Sequence, residues 1–141
     1  AFSPKCRKRR FSNMKKEIRT LVLYRLNRAD ESLEEALILF EKDHINTFVN
    51  RLYYACFYAV TALLLSKGLS SSKHSGVRAL FHQNFVKCGL INKDMGKFYD
   101  KLFDTRQKGD YADLVYFDKK EVCSWFDEAR NFISSIKNII E

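Results

Sequence analysis

A chain of 141 residues, 46% hydrophobic and 14% aromatic, can bury one ordinary core and is too short for two. One proline, five glycines and the lack of any sustained alternation of apolar and polar residues argue against a sheet protein and leave an all-α domain. The net charge of +8 points to nucleic acid less strongly than it first suggests, because Lys5, Arg7, Lys8, Arg9 and Arg10 crowd a prefix with no acid before Met14.

Residues 1–13 are therefore read as a basic N-terminal extension, an artefact of the start or a disordered piece, since Met14-Lys15-Lys16-Glu17 has the form of a natural beginning. An arm that touches phosphate is the other reading. The prefix has no apolar stretch of the secretory kind, and residues 14–141 are expected to form a single helical domain. From about Lys15 to Phe40, the positions Ile18, Val22, Leu26, Ala29, Leu33, Ala36, Leu37 and Phe40 step by three and four, which predicts a long amphipathic helix. The brief break Lys42-Asp43-His44 forces the next helix to pack antiparallel to it.

That next stretch, Phe48 to Lys67, is apolar on every side and must be central. A membrane span is the competing reading, and it is set aside because three tyrosines, Tyr53, Tyr54 and Tyr58, occupy its centre and no second span exists in the sequence. Gly68 is a helix stop, and Ser70 to Ser72 can cap a short third helix over His74 to Lys87 with Val77, Leu80, Phe81 and Phe85 inward. Asn92 caps a fourth helix whose stripe is Met95, Phe98, Tyr99, Leu102 and Phe103, and which Gly109 closes. Tyr111 to Phe117 is an aromatic loop expected to fold back over the bundle. Asp118, with Glu121 in capping-box position, opens a last helix with Val122, Trp125, Phe126, Ala129, Phe132, Ile133, Ile136 and Ile140 on one face. The expected architecture is an antiparallel up-and-down four-helix bundle with one additional short helix.

Arg106 continues the inner stripe of the fourth helix, four residues beyond Leu102, so it sets a guanidinium at an inner face. Such a group needs a carboxylate, phosphate or carbonyls for its five donors. Asp110 lies one turn on, with Tyr111 beside it. The cluster reads either as a structural ion pair or as an anion site in which Arg106 holds phosphate, Tyr111 stacks and Asp110 orients the arginine. Asn50 and Arg51 pose the same choice at the first turn of the central helix. His74, Arg78 and His82 share one face of the third helix and read as a solvated basic face, too widely spaced for one zinc. Cys6, Cys56, Cys88 and Cys123 form no CxxC pair and are expected to be reduced thiols of a cytoplasmic protein. Generic enzyme, metal and cofactor motifs are absent from the sequence, and no cofactor is expected.

The run Asn50-Arg51-x-Tyr53-Tyr54-Ala55-x-Phe57-Tyr58-Ala59 with Ala62-Leu63-Leu64, then Lys73-His74-Ser75-Gly76-Val77 with Phe81, then Arg106-x-x-x-Asp110-Tyr111, resembles the HEPN family of prokaryotic helical-bundle proteins. The resemblance covers nearly everything after Met14. It implies a cytoplasmic protein, usually a homodimer, often encoded beside a minimal nucleotidyltransferase and in several branches the toxin of a toxin and antitoxin pair. Active branches are metal-independent ribonucleases with an Arg followed, after four to six residues, by a His. This chain departs from that pattern, because no histidine follows Arg106, the last being His82. An ionised Asp is a poor proton donor at neutral pH. The resemblance then implies a non-catalytic nucleotide- or RNA-binding module with Arg106, Asp110, Tyr111, Arg51 and Asn50 at its site. It also makes Tyr111 the candidate for modification with AMP by the partner nucleotidyltransferase. A degenerate ribonuclease toxin using Tyr111 or His74, and a purely structural dimerisation bundle, are the alternatives.

Overall fold

The computed structural model describes residue 11, residues 14–109 and residues 116–141, with no side chains for 107–109. Every regular element among the described residues is helical. They are α1 (Lys16–Glu41), α2 (Ile45–Ser66), α3 (His74–Phe81), α4 (Lys93–Gly109), α5 (Lys119–Val122) and α6 (Trp125–Ile140).

Helix α2 is the centre of the bundle and touches α1, α3, α4 and α6. Thirteen of its 22 residues are buried, so the all-round apolar pattern is that of a core helix. Among the described residues it is the one helix long and apolar enough to cross a membrane, and 67% of its most apolar window is covered by the rest of the chain. The α1–α2 contact is the most extensive in the fold. Small buried residues on both helices, Ala29, Ser32 and Ala36 on α1 and Ala55, Ala59 and Ala62 on α2, let the two backbones come close.

Chain direction follows from the pairs that meet. The link of Lys42, Asp43 and His44 reverses the chain between α1 and α2, helped by Asp43 at φ 62°, a left-handed conformation that Asp tolerates better than most residues. The C-terminal end of α4 returns to the N-terminal half of α2, with Arg106 on Tyr54 and Phe103 against Tyr53. Lys119 pairs with Asp43 at 2.6 Å, and Lys137 pairs with Asp30 at 2.8 Å, so α6 runs antiparallel to α1. Helices α1, α2, α4 and α6 thus alternate up and down, with α3 as the additional short helix.

Local signals explain most boundaries. Gly68 and Gly89 adopt φ of 73° and 88° and end the elements before them. The Asn92 carboxamide accepts from the Asp94 amide, and Asp118 accepts from the Lys120 amide. Four expectations are corrected. Helix α2 starts at Ile45, so Asn50 and Arg51 lie in its second turn and Asn50 has no capping role. The last helix is interrupted at Cys123 and Ser124, leaving α5 as a single turn before α6. Lys73, not a serine, occupies the N-cap of α3, although the Ser71 hydroxyl accepts from the Lys73 amide. Finally, Cys88 is disulfide-bonded, whereas Cys56 (buried) and Cys123 (exposed) carry free thiols.

Helix α3 runs without a break into a wider turn, His82–Val86, in which the Lys87 amide reaches back five residues to the His82 carbonyl at 2.8 Å. Gly96 of α4 lies against this turn. A Cβ there would come within 3.0 Å of Val86 Cγ1 and 3.1 Å of His82 Cε1, so the missing side chain allows the close approach.

Candidate functional site

One longitudinal face of α2 escapes full burial. Arg51, Tyr54, Phe57 and Tyr58 lie along it at i, i+3, i+6 and i+7, all half-exposed. Arg106 of α4 donates from Nε to the Tyr54 hydroxyl at 3.2 Å, and its guanidinium carbon lies 5.6 Å from the centre of that ring and 5.5 Å from that of Tyr53. Arg51 lies 5.1 Å from the centre of the same Tyr54 ring. Two guanidiniums from different helices therefore converge on one tyrosine. Each gains from the negative ring face, and a guanidinium is a group of the kind that binds oxyanions. Arg51 also meets Glu35 of α1 at 3.5 Å and the Asn50 carboxamide oxygen at 3.3 Å. It is held in place at the face of the bundle and does not reach away into solvent.

Helix α3 brings a third kind of group. His74 stacks on Phe57 with ring centres 4.2 Å apart and planes within 10°, and its Nδ1 lies 2.7 Å from the Tyr53 hydroxyl. Burial, and then the nearby charge of Arg106, hold the His74 pKa below its ordinary value, so the ring is neutral at pH 7. The Tyr53 phenol is pushed up to about 12, chiefly by burial, against opposing effects of the neighbouring Tyr99 hydroxyl and of Arg106. It stays protonated under all ordinary conditions. The imidazole tautomer decides which member of the pair donates.

The depressed His74 pKa has a consequence for stability. Below about pH 6.5 the unfolded chain takes up a proton that the folded chain resists, so this group's contribution to stability falls as pH drops from there toward the folded pKa. Denaturant titrations at pH 7.5 and 5.5 should show a loss of stability at the lower pH that shrinks in His74→Gln. An equal loss in both proteins would assign the effect to other groups.

The solvated-face reading of α3 is corrected by the same contacts. Arg78 lies 4.0 Å from the centre of the Phe103 ring and 3.6 Å from Asp104, and His82 meets Asp100 at 2.8 Å, so this face clasps α4. Of the residues singled out in the sequence, Arg51 and Arg106 meet at Tyr54, and Asn50 bonds to Arg51. Asp110 and Tyr111 lie outside the described residues, as does most of the loop from 111 to 117. Its last residue, Phe117, packs edge-on against Trp125, and its amide donates to the Asn46 side chain. Sequence reasoning let the tyrosines of the central helix line the cleft that Arg106 faces and named His74 in the ribonuclease alternative, but it gave Tyr54 no role of its own and did not pair Tyr53 with His74. The spacing of Arg51 and Tyr54 could have revealed the first, but nothing local announces a contact across 21 residues. Among the described residues, no group of three or more His, Cys, Asp or Glu side chains is placed to hold a metal ion.

The HEPN domain model matches residues 22–139 of this helical bundle. The chain belongs to the HEPN domain family. It is 47% identical over 121 residues to a UPF0332 protein of Thermotoga maritima, covering 86% of this chain and 92% of the relative. Two proteins of Methanocaldococcus jannaschii, each named a candidate toxin, are also similar. One is 36% identical over 131 residues, 91% of this chain and 95% of its own, and the other is 29% identical over 126 residues, 89% and 83%.

Proposed function

We propose that this HEPN domain is a non-catalytic module that binds a nucleotide or RNA through phosphate contacts at Arg106, and that it works with a nucleotidyltransferase partner in a toxin-antitoxin-like pair. The observation that carries the reading is the convergence of Arg106 and Arg51 on Tyr54, with Asn50 beside them. Paired guanidiniums supply forked donors for phosphate, and the aromatic surface suits a base. Asp110 orients Arg106, and Tyr111 adds a stacking surface, in this proposal. The toxin-like setting draws on the names of the two Methanocaldococcus relatives. The protein acts as a cytoplasmic homodimer. Titration of labelled RNA and nucleotides against wild type and Arg106→Ala tests the site: affinity should fall roughly tenfold or more, the loss expected for a hydrogen bond to a charged group. Equal binding, or none in either protein, overturns it.

One observation favours a second reading, a degenerate ribonuclease toxin. His74 is a neutral, fixed imidazole close to Arg106, so a proton acceptor is present although no histidine follows the arginine. Induced expression in a bacterial host separates the two. Growth arrest with RNA cleavage that His74→Gln abolishes supports the ribonuclease, and normal growth with intact RNA removes it.

A further inference from the structure

We infer that the site takes a single strand and not a lone nucleotide, and that Arg28 of α1 with Tyr58 of α2 forms its second subsite. The inference rests on the reading of Arg106 and Arg51 as phosphate contacts and extends it along the bundle. The half-exposed face of α2 repeats one arrangement. Tyr54 carries the guanidiniums of Arg51 and Arg106, and one turn later Tyr58 carries that of Arg28, 5.2 Å from its ring centre. The two tyrosine rings lie 6.4 Å apart. One turn further, Arg25 and Thr61 line a small cleft of about 50 Å³, so the track of cations does not stop at Arg28.

Aromatic rings at successive turns, each with a cation beside it, are what a strand of nucleic acid meets in sequence-tolerant grooves. The bases stack on the rings and the backbone follows the charges. A mononucleotide can use one such unit and leaves the second without a role. Acids do border the track. Glu31 meets Arg28 at 2.7 Å, and Glu35 meets Arg51 at 3.5 Å, but both carboxylates are about half-exposed or more. Pairs of this kind contribute little and yield to a phosphodiester.

The test is fluorescence anisotropy with a labelled tetraribonucleotide and labelled AMP over a series of salt concentrations, using wild type, Arg28→Ala, Tyr58→Leu, Glu31→Gln and Arg106→Ala. Wild type should bind the tetranucleotide more tightly than AMP. Arg28→Ala and Tyr58→Leu should each weaken tetranucleotide binding roughly five- to thirtyfold and leave AMP within twofold, as expected for one lost stacking or backbone contact. Arg28→Ala should also lower the salt slope for the tetranucleotide by about 0.7, the share of one single-strand phosphate. Glu31→Gln, which removes the carboxylate charge facing Arg28, should tighten the tetranucleotide alone. The second subsite is overturned if Arg106→Ala weakens both ligands while Arg28→Ala and Tyr58→Leu weaken neither. It is also overturned if Tyr58→Leu converts a dimer to a monomer in sedimentation, which would make the strip a contact between copies. If Arg106→Ala changes nothing, the phosphate reading itself fails, a result distinct from either of these.

Discussion

Phe132→Ala is expected to cost about 3–5 kcal/mol of folding stability, the largest loss of any single truncation considered for this chain. Phe132 is completely buried on α6, where it stacks on Tyr99 of α4 with planes within 8° and also meets Phe81 of α3 and Phe98 of α4. Helices α3 and α4 therefore both lose their neighbour on α6 when the ring is removed. The cavity cannot collapse onto flexible side chains, because rings form most of its wall. A melting temperature lower by about 10 °C or more should accompany the loss. Calorimetry or denaturant titration checks it, and a change under 1 kcal/mol would mean that the rings repack. The effect should reach the site as well, since Tyr99 packs on Tyr53, which holds His74.

The second large effect is on binding. The double substitution Arg51→Ala with Arg106→Ala should weaken RNA binding by roughly a hundredfold or more, given about 1.5–3 kcal/mol for each hydrogen bond to a charged group. The slope of log affinity against log salt should become shallower by about 1.4, two single-strand phosphates' worth. The two guanidiniums share the Tyr54 ring, so the single losses should not simply add. A double-mutant cycle measures that coupling. Glu35 is close to half-exposed and does not become a buried unpaired charge when Arg51 is removed, so melting temperature should change little. A double variant that keeps both affinity and salt slope would show that these arginines serve the fold and not a ligand.

What the sequence reveals here depends on how far apart the partners lie. Helices α1 and α6 are legible because their buried residues repeat at helical spacing: Val22, Ala29, Leu33 and Ala36 on one, and Trp125, Ala129, Phe132, Ile133, Ile136 and Ile140 on the other. The start of α2 is hidden because its first turn carries polar residues, Asn46 and Thr47, that look like loop. The break at Cys123–Ser124 is equally silent, since Val122 and Trp125 keep the same buried stripe on both sides of it. At the site, Arg106 and Arg51 are visible as charges that continue or interrupt an apolar pattern. The contacts Tyr53–His74 and Arg28–Tyr58 join different helices, and only the way the helices pack decides them.

The wide turn at His82–Val86 bears on how this family can change. Relative to a regular helix it holds one residue more than its rise requires, a surplus the backbone tolerates because the segment is short. Losing that residue would restore ordinary winding and draw in the widened backbone that packs against Gly96. Val86 and His82 would then lose their present seat against Gly96. Length variation among relatives should thus collect in the stretches either side of α3, where an added residue lengthens a loop, and spare this turn, where it would disturb the close seat on Gly96.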